Sequence, residues 1–564
     1  MTTTPGHAPP LPSLMTGLFD GRVRWDLLRD FPRQSQSDAR QGDAVIAELD
    51  GILKRYGDPD DVETDGNLPD GLLETLAERG LLNMRPGPEE GGRGLSRANT
   101  FRVLEAAADW SPTLSLTMAP SNMLGAGSYL PILPPGPLRE FIAANIPRGI
   151  GAGADTELFG AANRLRATTA TPVDDGAAYL VNGEKAYIVN SPGARIIDVS
   201  ATILDNGDPR VALFFLTTDT PGVEVGPRHD FIGYRGLPNG MIRLRDVRVP
   251  REHVLGDAAD GWRSVPELTG TMNQARMFII GSSSLSITKH CVRWATRFAA
   301  RKHIDGVPLA EYDHARQLLA SGAADAFALE SLIAWCIHGA ERADTMLEQR
   351  AAKNLTSMTC WRVTDQTVSL MGAEGTESAA SKKRRNAPHA EPVERFQRNA
   401  RVLRVSGGVD FLVDYAAGRA GVFAHHYAMA AGEVSRRDGV APPTPEFVGP
   451  NRDHADAIAR LAREYASRAE KFVRRHPDPA DLHRHEQIPI TMNQIGSELT
   501  TMAIALARGH QSGGVAADLA DVYCVHARRR VDDLWCRLDA STPQGQDRVV
   551  ADLLDRHAPS RSPK

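Results

Sequence analysis

Over residues 13–150 apolar side chains recur every three to four positions, as in Val45, Ile46, Leu49, Ile52 and Leu53, which share one helical face. This spacing predicts an N-terminal helical domain, preceded by a Pro-rich flexible tail at 1–12. From about 151 the pattern shortens. AAYLVNGEKAYIVN, IDVSATIL, RVALFFLTT and MIRLRDVRVP read as strands and predict a compact β domain over 151–257. Asn182-Gly183, central in the first run, tolerates positive φ at both residues, so a two-residue hairpin turn is expected there. Helical periodicity returns over 258–434, broken by ESAASKKRRNAPHAEP, which reads as an exposed loop. RRDGVAPPTPEFVGPN has the proline density of a linker, placed at 435–452. Ile458, Leu461, Tyr465, Ala469 and Phe472 then open a C-terminal helical domain over 453–564. Its stripe of Leu519, Val522, Tyr523, Leu534, Trp535 and Leu538 is expected to pack within the chain.

Composition narrows the class. With 564 residues, 42% hydrophobic and 24% charged, the chain is large enough for two to four packed units and lies far from disordered or fibrous proteins. A formal charge of -5 supplies no field to recruit nucleic acid or a membrane surface. Five widely spaced cysteines argue against a disulfide framework or a zinc site and point to a reducing compartment. MTTTPGHAPP lacks a basic and apolar leader, and no eighteen consecutive residues are apolar. A cytoplasmic protein without a transmembrane segment is expected.

Some motifs carry little. Gly149, Gly151 and Ala154 fit G-x-G-x-x-A, but TELFGAANRLR offers no amphipathic helix to receive a pyrophosphate. His483, His485 and Glu486, or His425 and His426, lack the spacing of a metal site. Ser282 to Ser284 lack the second glycine of a nucleophile elbow and read as small-residue helix packing.

Other segments match one family in order. LMTGLFDGRV, PGPEEGGRGLS, YLVNGEKAYIVN, RLRDVRVPREHVLG and VERFQRNARVLRVSGG together resemble the acyl-CoA dehydrogenases, in particular the very-long-chain branch with its C-terminal helical extension. The resemblance covers about residues 13–560. It implies a mixed α and β fold: an N-terminal helical domain, a β-barrel-like middle domain, a helical bundle domain and an extra C-terminal helical domain. It further implies FAD as cofactor, an acyl-CoA or acyl-carrier-protein thioester as substrate, and a homodimer. In the family a carboxylate removes the α-proton of the thioester while hydride passes to the flavin, and hydrogen bonds to the thioester carbonyl make that proton acidic enough.

Carried over residue by residue, the resemblance assigns Thr156, Tyr187, Arg301 and Gly372 to cofactor binding, with Arg276 and Gly407 at the substrate. Several positions depart from the pattern. Leu158, Asn163, Val189, Ile304, Asp305, His314 and Ser369 replace residues common around the flavin. The arginines Arg395, Arg398, Arg401 and Arg404 fix a register in which the family's catalytic glutamate falls on Gly407. The alternative position of that glutamate, before the arginine of a central helix, is Ala275. Glycine has no proton-accepting group, but its backbone N–H can still donate to a thioester carbonyl. Glu374 and Asp410 are the candidate substitute bases, and SKKRRN is a candidate dock for an acidic carrier or the CoA phosphates. Three readings follow: an acyl thioester dehydrogenase with altered base chemistry, a non-catalytic member that binds a thioester or partner subunit, or a different flavin-dependent oxidation on the same fold.

Overall fold

The computed structural model describes residues 12–557 except 161, 206, 259, 262–264, 435–442 and 541–543. Residues 1–11 of the expected tail, and 435–442 of the expected linker, lie outside the described residues. The fold is mixed α and β, with helices flanking one sheet in chain order.

A short helix α1 (Leu14–Phe19) is followed by α2 (Gln36–Leu53), α3 (Arg97–Trp110) and α4 (Pro112–Met123). Serine side chains cap three of these, Ser13 on α1, Ser35 on α2 and Ser96 on α3. Ser35 Oγ accepts from the Asp38 N–H at 3.2 Å and Ser96 Oγ from that of Asn99 at 3.1 Å, satisfying first-turn donors that a helix cannot bond internally.

The sheet comprises β1 (Ile150–Ala154), β2 (Thr169–Val173), β3 (Ala178–Val189), β4 (Ala194–Ile203), β5 (Arg210–Thr217), β6 (Val223–Arg228), β7 (Asn239–Pro250) and β8 (Val254–Leu255). The strand order is β6-β7-β3-β2-β4-β5-β8, with β1 parallel to β4. β4 is buried at nearly every position, which explains its unbroken apolar run.

The expected hairpin at Asn182-Gly183 is absent. β3 runs straight through it, antiparallel to β7, with a register shift between Val181 and Gly183. A Cβ on Gly183 would lie 2.6–2.8 Å from Thr168, so glycine is present for close approach at a bulge. Asn182 is occupied across the strands, exchanging two hydrogen bonds with Asp246.

After the sheet come α5 (Pro266–Arg301), α6 (Asp313–His338), α7 (Met346–Met371), α8 (Ala379–Arg384), α9 (Val393–Leu403) and α10 (Asp410–Gly418). The chain then continues through α11 (Pro450–Arg475), α12 (Gln487–Ser512) and α13 (Val515–Asp539). The basic segment expected as a loop is instead α8, capped by Ser378. Lys382 is fully buried and donates to the Glu391 carbonyl at 2.7 Å, while Lys383 pairs with Asp58 and Asp60 and Arg385 with Glu377. Lys383 ties this helix to the N-terminal segment and the other two are bonded locally, so most of the charge that suggested an anion dock is already spent.

The helical segments share one apolar core: Leu14, Leu49, Leu104, Phe278, Leu332, Phe396, Tyr465, Leu499 and Trp535 belong to a single contiguous cluster. The sheet has its own, built on Val181, Val199, Phe214 and Val247. Helix α6 lies in a stretch of mean hydropathy 1.3, enough by length and composition for a membrane span, but Leu329, Leu332 and Trp335 are buried in the shared core. The stripe on α13 turns inward in the same way, with Tyr523, Leu534 and Trp535 buried.

Candidate active site

The glycine pair Gly407-Gly408 follows α9 in a turn held from three sides. Its φ values, +68° and +109°, lie where L side chains are strained. Lys353 of α7 donates from Nζ to the Gly408 carbonyl at 2.5 Å and to that of Arg404 at 3.4 Å, placing a cation at the carbonyl end of α9. Arg404 binds Asp410 across the turn, with Nε 2.8 Å from Oδ2. Burial pushes the Lys353 ammonium down to about 8, against the opposing charges of Asp410 and Asp414.

A Cβ built on Gly407 would meet Ile280 of α5 at 3.5 and 3.7 Å and Cε of Lys353 at 3.8 Å, all ordinary contacts. The site therefore has room for a side chain that it lacks. Among the described residues the Gly407 N–H donates to no backbone carbonyl, leaving it open as a donor. Val405, Phe411 and Leu412 around it are 47, 51 and 39% exposed, an apolar wall facing outward.

Arg276 lies one helical turn before Ile280. From Asn273 to Thr288 every residue of α5 is buried except Arg276, which is exposed. An accessible side chain on an otherwise enclosed helix marks a cleft. Burial lowers the guanidinium pKa, with Asp155 opposing, as expected for a cation reached by solvent yet crowded by protein.

The sheet side of this region is built around Tyr187. Its φ of +61° is unusual for a bulky residue and coincides with a register shift between Lys185 and Ile188. The ring is 50% exposed and lies 4.8 Å from His229 and 6.5 Å from Phe231, centroid to centroid. The Ala186 N–H donates to the Thr156 carbonyl at 3.0 Å, so Thr156 and Tyr187 are brought together. Beneath them Lys185 and Glu157 form a buried ion pair at 2.9 Å, and Glu157 also accepts from the Ala167 and Thr168 N–H groups. Despite the opposing effect of burial, these bonds hold the Glu157 carboxyl at about 2.

This assembly is pinned to the helix that precedes Gly407. Arg398 of α9 donates to the Ile232 carbonyl at 2.9 Å, and Asn399 accepts the Tyr234 N–H at 2.6 Å. Gly233 approaches so closely that a Cβ there would lie 2.7 Å from the backbone of Arg398.

Two expected residues lie together but elsewhere. Arg301 and Glu374 bind each other, with the guanidinium 5.0 Å over the Phe298 ring, so each neutralises the other. Gly372 ends α7 at φ +58°, ψ -134°, a conformation suited to glycine. Asp305 and Gly306 turn the small hairpin between His303–Ile304 and Val307–Pro308. Glu374 and Asp410, the candidate substitute bases, are thus both engaged by arginines.

Lys353 and the Lys185–Glu157 pair carry roles that the sequence did not assign. A signal for the first was present. In QRAAKNLTSMTCW two cations three residues apart precede a charge-free stretch, which favours a helix face turned toward something polar inside the molecule.

Comparison with known proteins accords with this arrangement. Residues 152–247 match the acyl-CoA dehydrogenase middle domain and residues 259–411 its C-terminal domain, the latter ending beyond Gly407. Over these residues the chain is similar to the acyl-CoA dehydrogenase family. A relative described as probable acyl-CoA dehydrogenase FadE10 of Mycobacterium tuberculosis is 26% identical, covering 96% of this chain and 88% of its own. The benzylmalonyl-CoA dehydrogenase of Aromatoleum aromaticum is 27% identical over 60% of this chain and 86% of its own. The fold is that of an acyl-CoA dehydrogenase from Bacillus anthracis solved with FAD: TM-score 0.73 at 18% identity, covering 97% of this chain and 96% of that one.

Proposed function

We propose that this chain is a flavoprotein of the acyl-CoA dehydrogenase type that binds FAD and an acyl thioester in the cleft opened by Arg276, with Gly407 at the position of the family's glutamate base. The observation that carries the reading is the open Gly407 N–H beside an accessible arginine on a buried helix and an exposed apolar wall. The cofactor of the Bacillus anthracis neighbour supports the same assignment.

The residues present fit a flavin at one end. Tyr187 offers an exposed ring held out by its positive φ, and Thr156 is tied to the adjacent backbone. FAD bound there would supply a two-electron acceptor. The chain's own contribution is to position: the Gly407 N–H donates to the thioester carbonyl, Lys353 fixes the turn that aims it, and Val405, Phe411 and Leu412 offer an apolar surface. As part of this reading the protein acts as a cytoplasmic homodimer of the very-long-chain branch, with the domain limits given above.

Because Arg301 holds Glu374 and Arg404 holds Asp410, a second reading has specific support: a thioester-binding member without dehydrogenation. Removal of a general base typically costs on the order of 10²–10⁴ in rate. One experiment separates the readings. Purified protein is expected to show oxidised flavin absorbance, and anaerobic titration with a panel of acyl-CoAs measures its bleaching. A colourless protein that takes up no FAD sinks the flavoprotein assignment; a yellow protein that no thioester bleaches favours the second reading.

A further inference from the structure

Helices α5 and α7 run side by side in the same direction. Ile280 and Lys353 both flank the Gly407 site, and further along Cys291 Sγ donates to Thr364 Oγ1 at 3.8 Å, so the register stays constant. One turn before Ile280 is Arg276, and one turn before Lys353 is Arg350. A helical turn rises about 5.4 Å, so both arginines lie beside each other, one turn from the Gly407 turn.

Neither arginine forms an ion pair among the described residues. The carboxylates whose charge they feel are Asp155 for Arg276 and Asp344 for Arg350. Asp155 accepts from Arg166 Nε at 2.8 Å and Ser200 Oγ at 2.6 Å, and Asp344 accepts the Met346 N–H at 2.9 Å. The other nearby charges are cationic or spent: Lys353 serves the turn and Arg404 holds Asp410. Burial lowers the pKa of Arg350, and the charge of Arg276 adds to the effect. Several other half-buried arginines are paired, as with Arg362 and Asp325, Arg395 and Asp60, and Arg530 and Glu498, whereas Arg85 bonds only the Gln274 amide. Two unpaired guanidiniums set together in a crowded cleft repel each other unless an anion lies between them.

We propose that Arg276 and Arg350 form a carboxylate-binding subsite, and that the acyl group taken by this protein carries a second, terminal carboxylate. The inference rests on the thioester-binding reading above and deepens it by naming the substrate class. Guanidiniums bind carboxylates with paired, charge-assisted hydrogen bonds, so the interaction both attracts the diacid and fixes its acyl chain relative to the Gly407 N–H.

The test compares glutaryl-CoA with pentanoyl-CoA, which share the CoA moiety and chain length and differ in the terminal carboxylate. Binding is measured calorimetrically on the full chain, wild type and the Arg350→Gln and Arg276→Gln variants, each checked for unaltered melting. Tighter binding of glutaryl-CoA by tenfold or more, with the preference removed in Arg350→Gln and pentanoyl-CoA affinity kept, supports the subsite. Equal binding of the two thioesters, or a preference that survives both substitutions, overturns it while leaving thioester binding intact. Equal losses for both thioesters in the variants assign the arginines to the CoA phosphates and overturn the acyl assignment. If neither thioester binds, the subsite and the thioester reading fall together. If Arg350→Gln does not fold, Arg350→Lys takes its place, with a reduced preference expected because an ammonium lacks the bidentate fork.

Discussion

Replacing Gly407 by glutamate tests the central feature of the site, because the structure separates what the substitution costs from what it adds. A Cβ at this position meets Ile280 and Lys353 at 3.5–3.8 Å, so no atom must move to admit it. The cost is conformational: at φ +68° an L residue gives up about 1–2 kcal/mol relative to glycine. Lys353 lies near the new carboxylate and would keep it ionised at neutral pH. Gly407→Ala bears the same backbone cost without the carboxylate and serves as the reference. Flavin reduction by the best thioester of the panel, followed anaerobically by rapid mixing, is expected to rise by about 10²–10⁴ in Gly407→Glu over Gly407→Ala. Both variants should lose similar stability in urea. Equal reduction rates in the two variants, with flavin content matching wild type, would refute the placing of the base at residue 407.

Three further outcomes follow from the packing. Glu348 is fully buried, accepting the Met15 N–H at 3.0 Å, and burial raises its carboxyl from 4.5 to about 7. Its stabilising contribution is complete below pH 4.5 and lost as pH rises through 7. Glu348→Gln, which keeps an acceptor, should therefore gain about 3 kcal/mol over wild type above pH 7 and nothing at pH 4, in urea unfolding. Lys185→Met leaves Glu157 buried without its cation and is expected to cost about 3–5 kcal/mol, with flavin content falling as the Thr156 segment loosens. Gly233→Ala drives a Cβ to 2.7 Å from the Arg398 backbone and should cost about 1–3 kcal/mol while lowering flavin content; unchanged melting and flavin would show that the sheet and α9 are not coupled through this contact.

The helices and strands were legible because their apolar periods are written plainly. Asn182-Gly183 misled. The dipeptide is compatible with either a turn or a bulge, and the deciding fact is the approach of Thr168, which local pattern does not contain. SKKRRN misled for a related reason: its cations look solvent-bound until Asp58, Asp60 and Glu377 are placed against them. Lys353 and Arg350 went unassigned because their meaning comes from lying alongside α5, a relation between distant segments. Local periodicity does not contain the packing of distant segments, since helices from both ends of the chain, with Leu14, Leu49, Tyr465 and Trp535, close on one core.

That shared core orders events during synthesis. Helix α1 seats Phe19 against Tyr465 of α11, centroids 6.3 Å apart, and Asp20 bonds His425, partners more than four hundred residues downstream. At roughly 5–20 residues per second, α1 leaves the ribosome tens of seconds before its seat exists. Leu14, Met15, Leu18 and Phe19, all buried in the finished molecule, stay uncovered for that interval and present an apolar segment to chaperones. The last helices to be made thus secure one of the first.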